Sequence, residues 1–308
     1  MKHLVIVNPN AGTYSLEFED SIKAAFEGLK MEIYRTTGPR SVIPFLKEYF
    51  AKEQKETVRV YACGGDGTVH EVANGLVGAK NAELAIYPVG TGNDFVKIYG
   101  GKEKLANFKA LIEAKAHPVD LSKLSSPSLE EEMYSINVIN FGFDAIVGAM
   151  GNYYKENGYP EKAQKKYPNP YDYALHHDAM KHGLKNTIDV YADGEKLNKG
   201  KILLATLAQG QFVGGQFHAS PKSDNTDGLI DVCVLRGMSI IGLGMIIGPY
   251  TRGEHLNKPR KAITYRRAKE IKMNAPEDFD VCVDGEMVKG NDFVVEVVPG
   301  AINLVVPE

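Results

Sequence analysis

The apolar positions of the chain follow two regimes. Over the first 125 residues, short runs of β-branched and aromatic side chains alternate with segments of helical period. Strands are predicted over residues 3–7, 31–35, 57–63 and 83–89, and amphipathic helices over 16–29 and 41–52. Strand and helix in alternation is the pattern of a parallel sheet flanked by helices. From Met133 the pattern changes to short strands separated by Gly, Asn and Asp turns, which predicts a mostly antiparallel second domain. Its strands are expected at 135–141, 143–147, 187–192, 195–199, 201–208, 229–235, 279–283 and 293–307. Residues 150–185, with tyrosines among Lys, Asn and Pro, are expected to form an excursion ending in a helix near 171–182.

Chemistry-bearing residues gather at the turns after predicted strands. The strand over 57–63 runs into Gly64-Gly65-Asp66-Gly67-Thr68, and Thr68 with Glu71 has the spacing of a capping box that would start a helix. Strand, glycine turn and helix start in one run present unpaired N–H groups at the positive end of a helix dipole, which is a phosphate site. The turn is not a P-loop, and His70 stands where a dinucleotide fingerprint needs its third glycine. Gly90-Thr91-Gly92-Asn93-Asp94-Phe95 follows the strand over 83–89, and Asn8-Pro9-Asn10-Ala11-Gly12 follows the first strand. In a parallel sheet such loops share one edge, where ligands bind. Near the C-terminus, Asp284-Gly285-Glu286 puts two carboxylates at a turn, where one could accept the proton of an attacking hydroxyl. The same triplet, Asp193-Gly194-Glu195, stands in a plain predicted hairpin.

Taken together these segments resemble the diacylglycerol kinase family. Gly-Gly-Asp-Gly-Thr is shared by diacylglycerol, sphingosine, ceramide and NAD kinases, and Pro88 to Phe95 matches the family's second signature. The resemblance implies an α/β nucleotide-binding domain over 1–125, with a C-terminal return at about 296–308, and a β-sandwich domain over 126–295. It implies ATP and Mg²⁺ as cofactors, with nucleotide contacts at Asn8, Pro9, Asn10, Ala11, Gly12, Thr36, Gly64, Gly65, Asp66, Gly67, Thr68, Glu71, Gly90, Thr91, Asn93 and Asp94. Asp66 is also expected to hold Mg²⁺ through water. Arg40-Ser41 departs from the family's usual Gly-Asp or Gly-His, and Gln209 and Gln216 depart from its Asn-Gly-x-x-x-Gly-Gly-Gly. A second Mg²⁺ is implied on Asp224, Asp227 and the Leu229 carbonyl, although those acids equally suit a tight Asp-Gly turn. The catalytic base is implied at Asp284 or Glu286. The expected activity is phosphorylation of a lipid hydroxyl, with diacylglycerol as acceptor; NAD kinase-like phosphorylation and a non-catalytic nucleotide-binding regulator are the alternatives. A homodimer is left open.

Composition adds limits. At 308 residues, with 44% hydrophobic and 24% charged residues, the chain has room for two ordinary globular domains. Cys63, Cys233 and Cys282 lie far apart without a Cys-x-x-Cys pair, which suits a reducing cytoplasm. Net charge −3 offers no general attraction to nucleic acid, so no nucleic-acid partner is expected. Residues 238–248, the longest later apolar stretch, contain three glycines and fall short of the roughly 20 residues of a membrane span. Beside them stand Lys258, Arg260, Lys261, Arg266, Arg267 and Lys269 with no acid between. This combination suggests peripheral, salt-sensitive contact with anionic lipid at the inner face of the membrane; a core helix and a solvated strand edge is the competing reading.

Overall fold

The computed structural model describes residues 1–12, 14–52, 54–257 and 261–308. The first part alternates as its pattern predicts: β1 (Lys2–Val7), α1 (Leu16–Ala25), β2 (Met31–Arg35), α2 (Val42–Ala51), β3 (Val58–Gly64), α3 (Asp66–Leu76) and β4 (Ala82–Pro88). The strands pair in parallel in the order β2-β1-β3-β4. Every residue of β3 is buried, as a central strand covered on both faces requires. Buried Arg59 is satisfied there by Glu83 and by the carbonyls of Leu111 and Ile112. A 3₁₀ turn (Phe95–Tyr99), α4 (Gly101–Leu105) and α5 (Phe108–Glu113) lead to β5 (Ala116–Ser125).

The second part contains β6 (Met133–Ser135), β7 (Val138–Gly142), α6 (Phe143–Asn157), α7 (Glu161–Gln164), α8 (Pro170–Ala174), α9 (Met180–His182), β8 (Asp189–Ala192), β9 (Glu195–Lys196) and β10 (Ile202–Ala208). It ends with β11 (Ile230–Arg236), α10 (Ile240–Thr251), β12 (Ile263–Ala268), β13 (Glu270–Val283) and β14 (Glu286–Val305). The order β12-β11-β10-β7-β13-β14 is antiparallel throughout. A mostly antiparallel half therefore follows a parallel α/β half, and their strands share one sheet.

One predicted strand is a helix. Residues 143–147 open α6, because Gly142 at φ 95° turns the chain out of β7 and the following side chains take helical spacing. Five largely apolar residues do not by themselves distinguish a buried strand from a helical turn. The capping box is also corrected. α3 begins at Asp66, with Gly65 as its N-cap, so Thr68 and Glu71 already lie inside the helix. The Glu71 carboxylate instead accepts from Arg40 N and Val42 N, both at 2.9 Å, and caps α2.

β14 runs through both halves. It pairs antiparallel with β13 and β5, and its end lies parallel to β4 at Leu84 and Ala85. A bulge in β14 between Val298 and Ile302 faces Asp120, which is 3% exposed. The Asp120 carboxylate accepts from Gly300 N at 2.8 Å in that bulge and from Gly228 N at 2.7 Å in the loop before β11. Asp120→Ala removes the buried charged acceptor that two backbone N–H groups share and is expected to lower the unfolding free energy by about 2 kcal/mol, measured by urea unfolding.

Candidate active site

Three loops converge beyond the C-terminal ends of β1, β3 and β4. Asn8 Nδ2 donates to Thr68 Oγ1 at 3.1 Å, tying the first loop to α3. Val89 N and Gly90 N both donate to Gly64 O, and Asn93 Nδ2 closes its own turn on Gly90 O. The two glycine turns touch backbone to backbone: a Cβ on Gly90 would lie 2.4 Å from Gly65 Cα. The start of α3 thus faces a cleft, and the first N–H groups of a helix have no partner within it.

The cleft has a volume of about 870 Å³. Of the residues singled out in the sequence, Asn8, Asn10, Ala11, Gly12, Thr36, Gly65, Asp66, Gly67, Thr68, Glu71, Gly90, Thr91 and Asp94 line it from the first half, and Asp284 and Glu286 from the second. Pro9, Gly64 and Asn93 shape the turns behind that wall. Gly214 and Gly215 complete it, and sequence reasoning did not place them there. Gly215 N donates to both Asp94 oxygens, at 3.0 and 3.2 Å, while Lys97 Nζ bridges Asp94 Oδ1 and Gly215 O. The Asp94-to-Lys97 spacing of a helical ion pair was the available signal for Lys97.

The acids differ sharply in what holds them. Asp66 Oδ1 accepts from Asp94 N at 2.7 Å and Phe95 N at 3.4 Å, and Oδ2 keeps no such partner among the described residues. Burial, and after it the charge of Asp94, raises the Asp66 carboxyl above its ordinary range. Asp284 sits at φ 50° in the turn between β13 and β14, and its carboxylate is almost fully buried. It accepts from Ser135 Oγ (2.6 Å), Ile136 N (2.9 Å), Asn137 N (3.1 Å) and Val138 N (2.9 Å), and pairs with His70 Nδ1 (3.0 Å). Two carboxylate oxygens offer about four lone-pair sites, and these donors engage all of them. Glu286, 37% exposed, has one ion-pair partner among the described residues, Arg40 Nη2 at 3.5 Å. It also lines a second cavity of about 840 Å³, whose walls include Arg40, Ile43, Lys47, Val77, Leu129, Met133 and Val288. Asp193-Gly194-Glu195 forms the same left-handed turn, with Asp193 Oδ1 accepting from Lys269 N and Glu270 N, but it lines neither cavity.

Two family models cover most of the chain: the diacylglycerol kinase catalytic domain matches residues 2–124, and the YegS C-terminal NAD kinase beta sandwich-like domain matches 137–306. The chain belongs to the diacylglycerol kinase and YegS-like lipid kinase family. Its relatives include a diacylglycerol kinase of Bacillus subtilis, 28% identical over 290 residues, covering 92% of this chain and 88% of that one. Another is the Pseudomonas aeruginosa protein named "Probable lipid kinase YegS-like", 29% identical over 255 residues, covering 80% of this chain and 76% of that one. A crystal structure of a Bacillus anthracis diacylglycerol kinase, 22% identical, has the same fold, with a TM-score of 0.68 over 99% of this chain and 96% of its own.

This lipid kinase family member departs from its resemblance at two points. Arg40, at φ 60°, holds a backbone conformation that favours glycine, and its side chain reaches Glu286 at the junction of the two cavities. The loop of Asp224, Asp227 and Leu229 lies outside the cleft, and most of its oxygens are engaged. Asp224 Oδ1 accepts from Thr226 N and Oγ1, Asp227 pairs with Arg267 at 3.2 Å, and Leu229 O accepts from Gln209 Nε2 at 3.2 Å. In this arrangement Arg267 and the Gln209 amide hold the Asp227 carboxylate and the Leu229 carbonyl, so a Mg²⁺ at this loop would have to displace the arginine. The chemistry of Asp66 does fit a hard cation, since an unpaired carboxylate oxygen stands beside a second acid.

Two outcomes are expected here. Gly90→Ala forces the two glycine turns apart and should weaken nucleotide binding at least about tenfold while the fold persists, read by calorimetric titration and circular dichroism. Because the folded Asp66 carboxyl is raised, its contribution to stability is complete below the unfolded value of about 3.9 and is lost as pH rises through the folded value. Asp66→Asn keeps an acceptor for both N–H groups and should melt no lower than the parent near about pH 7, the difference closing below about pH 4. Thermal unfolding across pH tests this.

Proposed function

We propose that the protein transfers the γ-phosphoryl group of ATP to a lipid hydroxyl, with diacylglycerol as the acceptor. The observation that carries this reading is the position of Glu286, a half-exposed carboxylate on the wall common to two cavities. One cavity has the glycine turns and helix start that suit phosphates; the other mixes apolar side chains with Arg40, Lys47 and the acids Glu130, Glu131 and Glu132, and such a mixed polar and apolar lining suits the glycerol end of a lipid.

Phosphoryl transfer needs mainly positioning and charge stabilisation. The N–H groups of Gly65 to Thr68 and the Gly90 turn receive the phosphates. Glu286 accepts the proton of the acceptor hydroxyl as its oxygen bonds to the γ-phosphorus, and ADP leaves with the electron pair of the broken P–O bond. Asp284 fixes the hairpin that aims Glu286. Asp66 would hold Mg²⁺ that enters with the nucleotide, directly or through water, and the ion would offset charge on the β- and γ-phosphates.

Incubation with labelled ATP and a panel of lipids and NAD tests the reading: label is expected in diacylglycerol, and label in NAD alone would overturn it. Glu286→Gln should lower kcat by about 10²–10⁴-fold with nucleotide affinity nearly unchanged. Equal losses in both would place Glu286 in nucleotide binding instead.

A further inference from the structure

Residues 237–251 contain no charged side chain, and Arg236 and Arg252 bracket them. α10 forms from this stretch, with Ser239 as its N-cap. Its inner face is ordinary core: Ile246 and Tyr250 pack among Leu203, Leu204, Cys233 and Leu235. The outer face is not. Ile240 is 56% exposed, Ile241 77%, Met245 68% and Ile247 40%. At 100° per residue these four fall on one side of the helix, with Gly244 between them. Exposed large hydrophobic side chains elsewhere among the described residues are scattered: Met1, Leu16, Leu29 and Tyr153. A surface helix ordinarily turns charged and polar residues to water, so a continuous apolar outer face marks a contact surface.

We infer that α10 is a membrane-docking helix that lies in the interfacial layer of a bilayer and inserts Ile240, Ile241, Met245 and Ile247 among the acyl chains. The inference rests on the proposed lipid acceptor, which brings the enzyme to a bilayer. A second copy is the less suitable occupant, because stable interfaces use roughly 20–30 residues a side and this patch offers one helix face.

Electrostatics has a smaller part than the basic stretch suggested. Lys258 and Arg260 lie outside the described residues. Arg267 is paired with Asp227 and Asp231, at 3.2 and 3.6 Å, and Arg266 with Glu195 at 3.7 Å. Acids of the protein answer the two arginines, and Lys261 and Lys269 are the charges of this stretch left to meet a lipid surface among the described residues, so apolar insertion carries most of the binding and added salt weakens it only modestly. The docking helix is also joined to the cleft. His218 N donates to Thr251 O at 3.1 Å, Phe217 and Tyr250 rings lie 6.2 Å apart, and the same loop carries Gly215 to Asp94 and Lys97.

Co-sedimentation of the full chain with vesicles tests this. The vesicles are phosphatidylcholine alone and phosphatidylcholine with phosphatidylglycerol, neither containing diacylglycerol, so binding is read independently of acceptor recognition and of kinase activity. Wild-type protein is expected to bind both, with less than about twofold loss at about 0.5 M salt. The double variant Ile241→Glu, Met245→Glu should bind at least about tenfold more weakly, and Ile241→Trp more tightly. Both should keep the parent's melting temperature and its activity on a water-soluble short-chain acceptor, since these side chains point to solvent. No binding to either vesicle, binding indifferent to all these substitutions, or binding abolished by salt would overturn the inference. So would a wild-type dimer in sedimentation velocity that the double variant dissociates. Vesicle binding without phosphorylation of any lipid would leave the docking surface standing and remove the proposed function.

Discussion

The carboxylate of Asp284 joins elements separated by some of the longest sequence distances in the molecule. It receives three consecutive backbone N–H groups and a hydroxyl from the segment entering β7, and it pairs with His70 of α3. An ionised carboxylate only accepts, and burying it without donors would be costly; here the donors surround it. The hairpin between β13 and β14 is therefore held against the nucleotide-facing helix, and the position of Glu286 two residues later follows from that anchorage. In the proposed mechanism the buried acid of the triplet is the support, and its neighbour acts as the base.

On the opposite wall, main chain replaces side chain. Gly65 and Gly90 approach so closely that neither turn can carry a Cβ toward the other without displacement. Such contact leaves backbone N–H groups, rather than mobile side chains, to face the cleft, which limits the ordering needed when phosphates bind. The same wall keeps Asp66 and Asp94 close enough for one to raise the carboxyl of the other. That repulsion opposes stability, and the cation proposed to enter with the nucleotide would offset it.

The surface of the second domain shows the reverse conflict. Inside, polar groups such as Asp120 and Asp284 are matched donor by donor; outside, α10 leaves apolar side chains in water. Departures from ordinary packing and patterning concentrate where a protein meets something else. The loop of residues 213–218 touches α10 at one end and Asp94 at the other, so these two departures share a physical connection.

Much of the fold was legible in the chain itself. Alternating apolar runs and helical segments determined the parallel half, because strand and helix periods are local properties; the glycine turns determined where phosphates could sit, because their position after strands is local too. The Asp-Gly turns at 193 and 284 were equally legible as hairpins. Tertiary structure decided what locality cannot: the two turns are alike in backbone, and only the packing of the second against α3 and the start of β7 makes it part of a cleft. It turned Glu71 from the cap of its own helix into the cap of α2, since the start of α3 three residues earlier put its carboxylate beyond reach of that helix's N-terminus. It also decided that Arg267 neutralises acids of its own protein and that Ile241 faces water. Pairing and exposure depend on residues distant in sequence, which a residue's immediate neighbours do not specify.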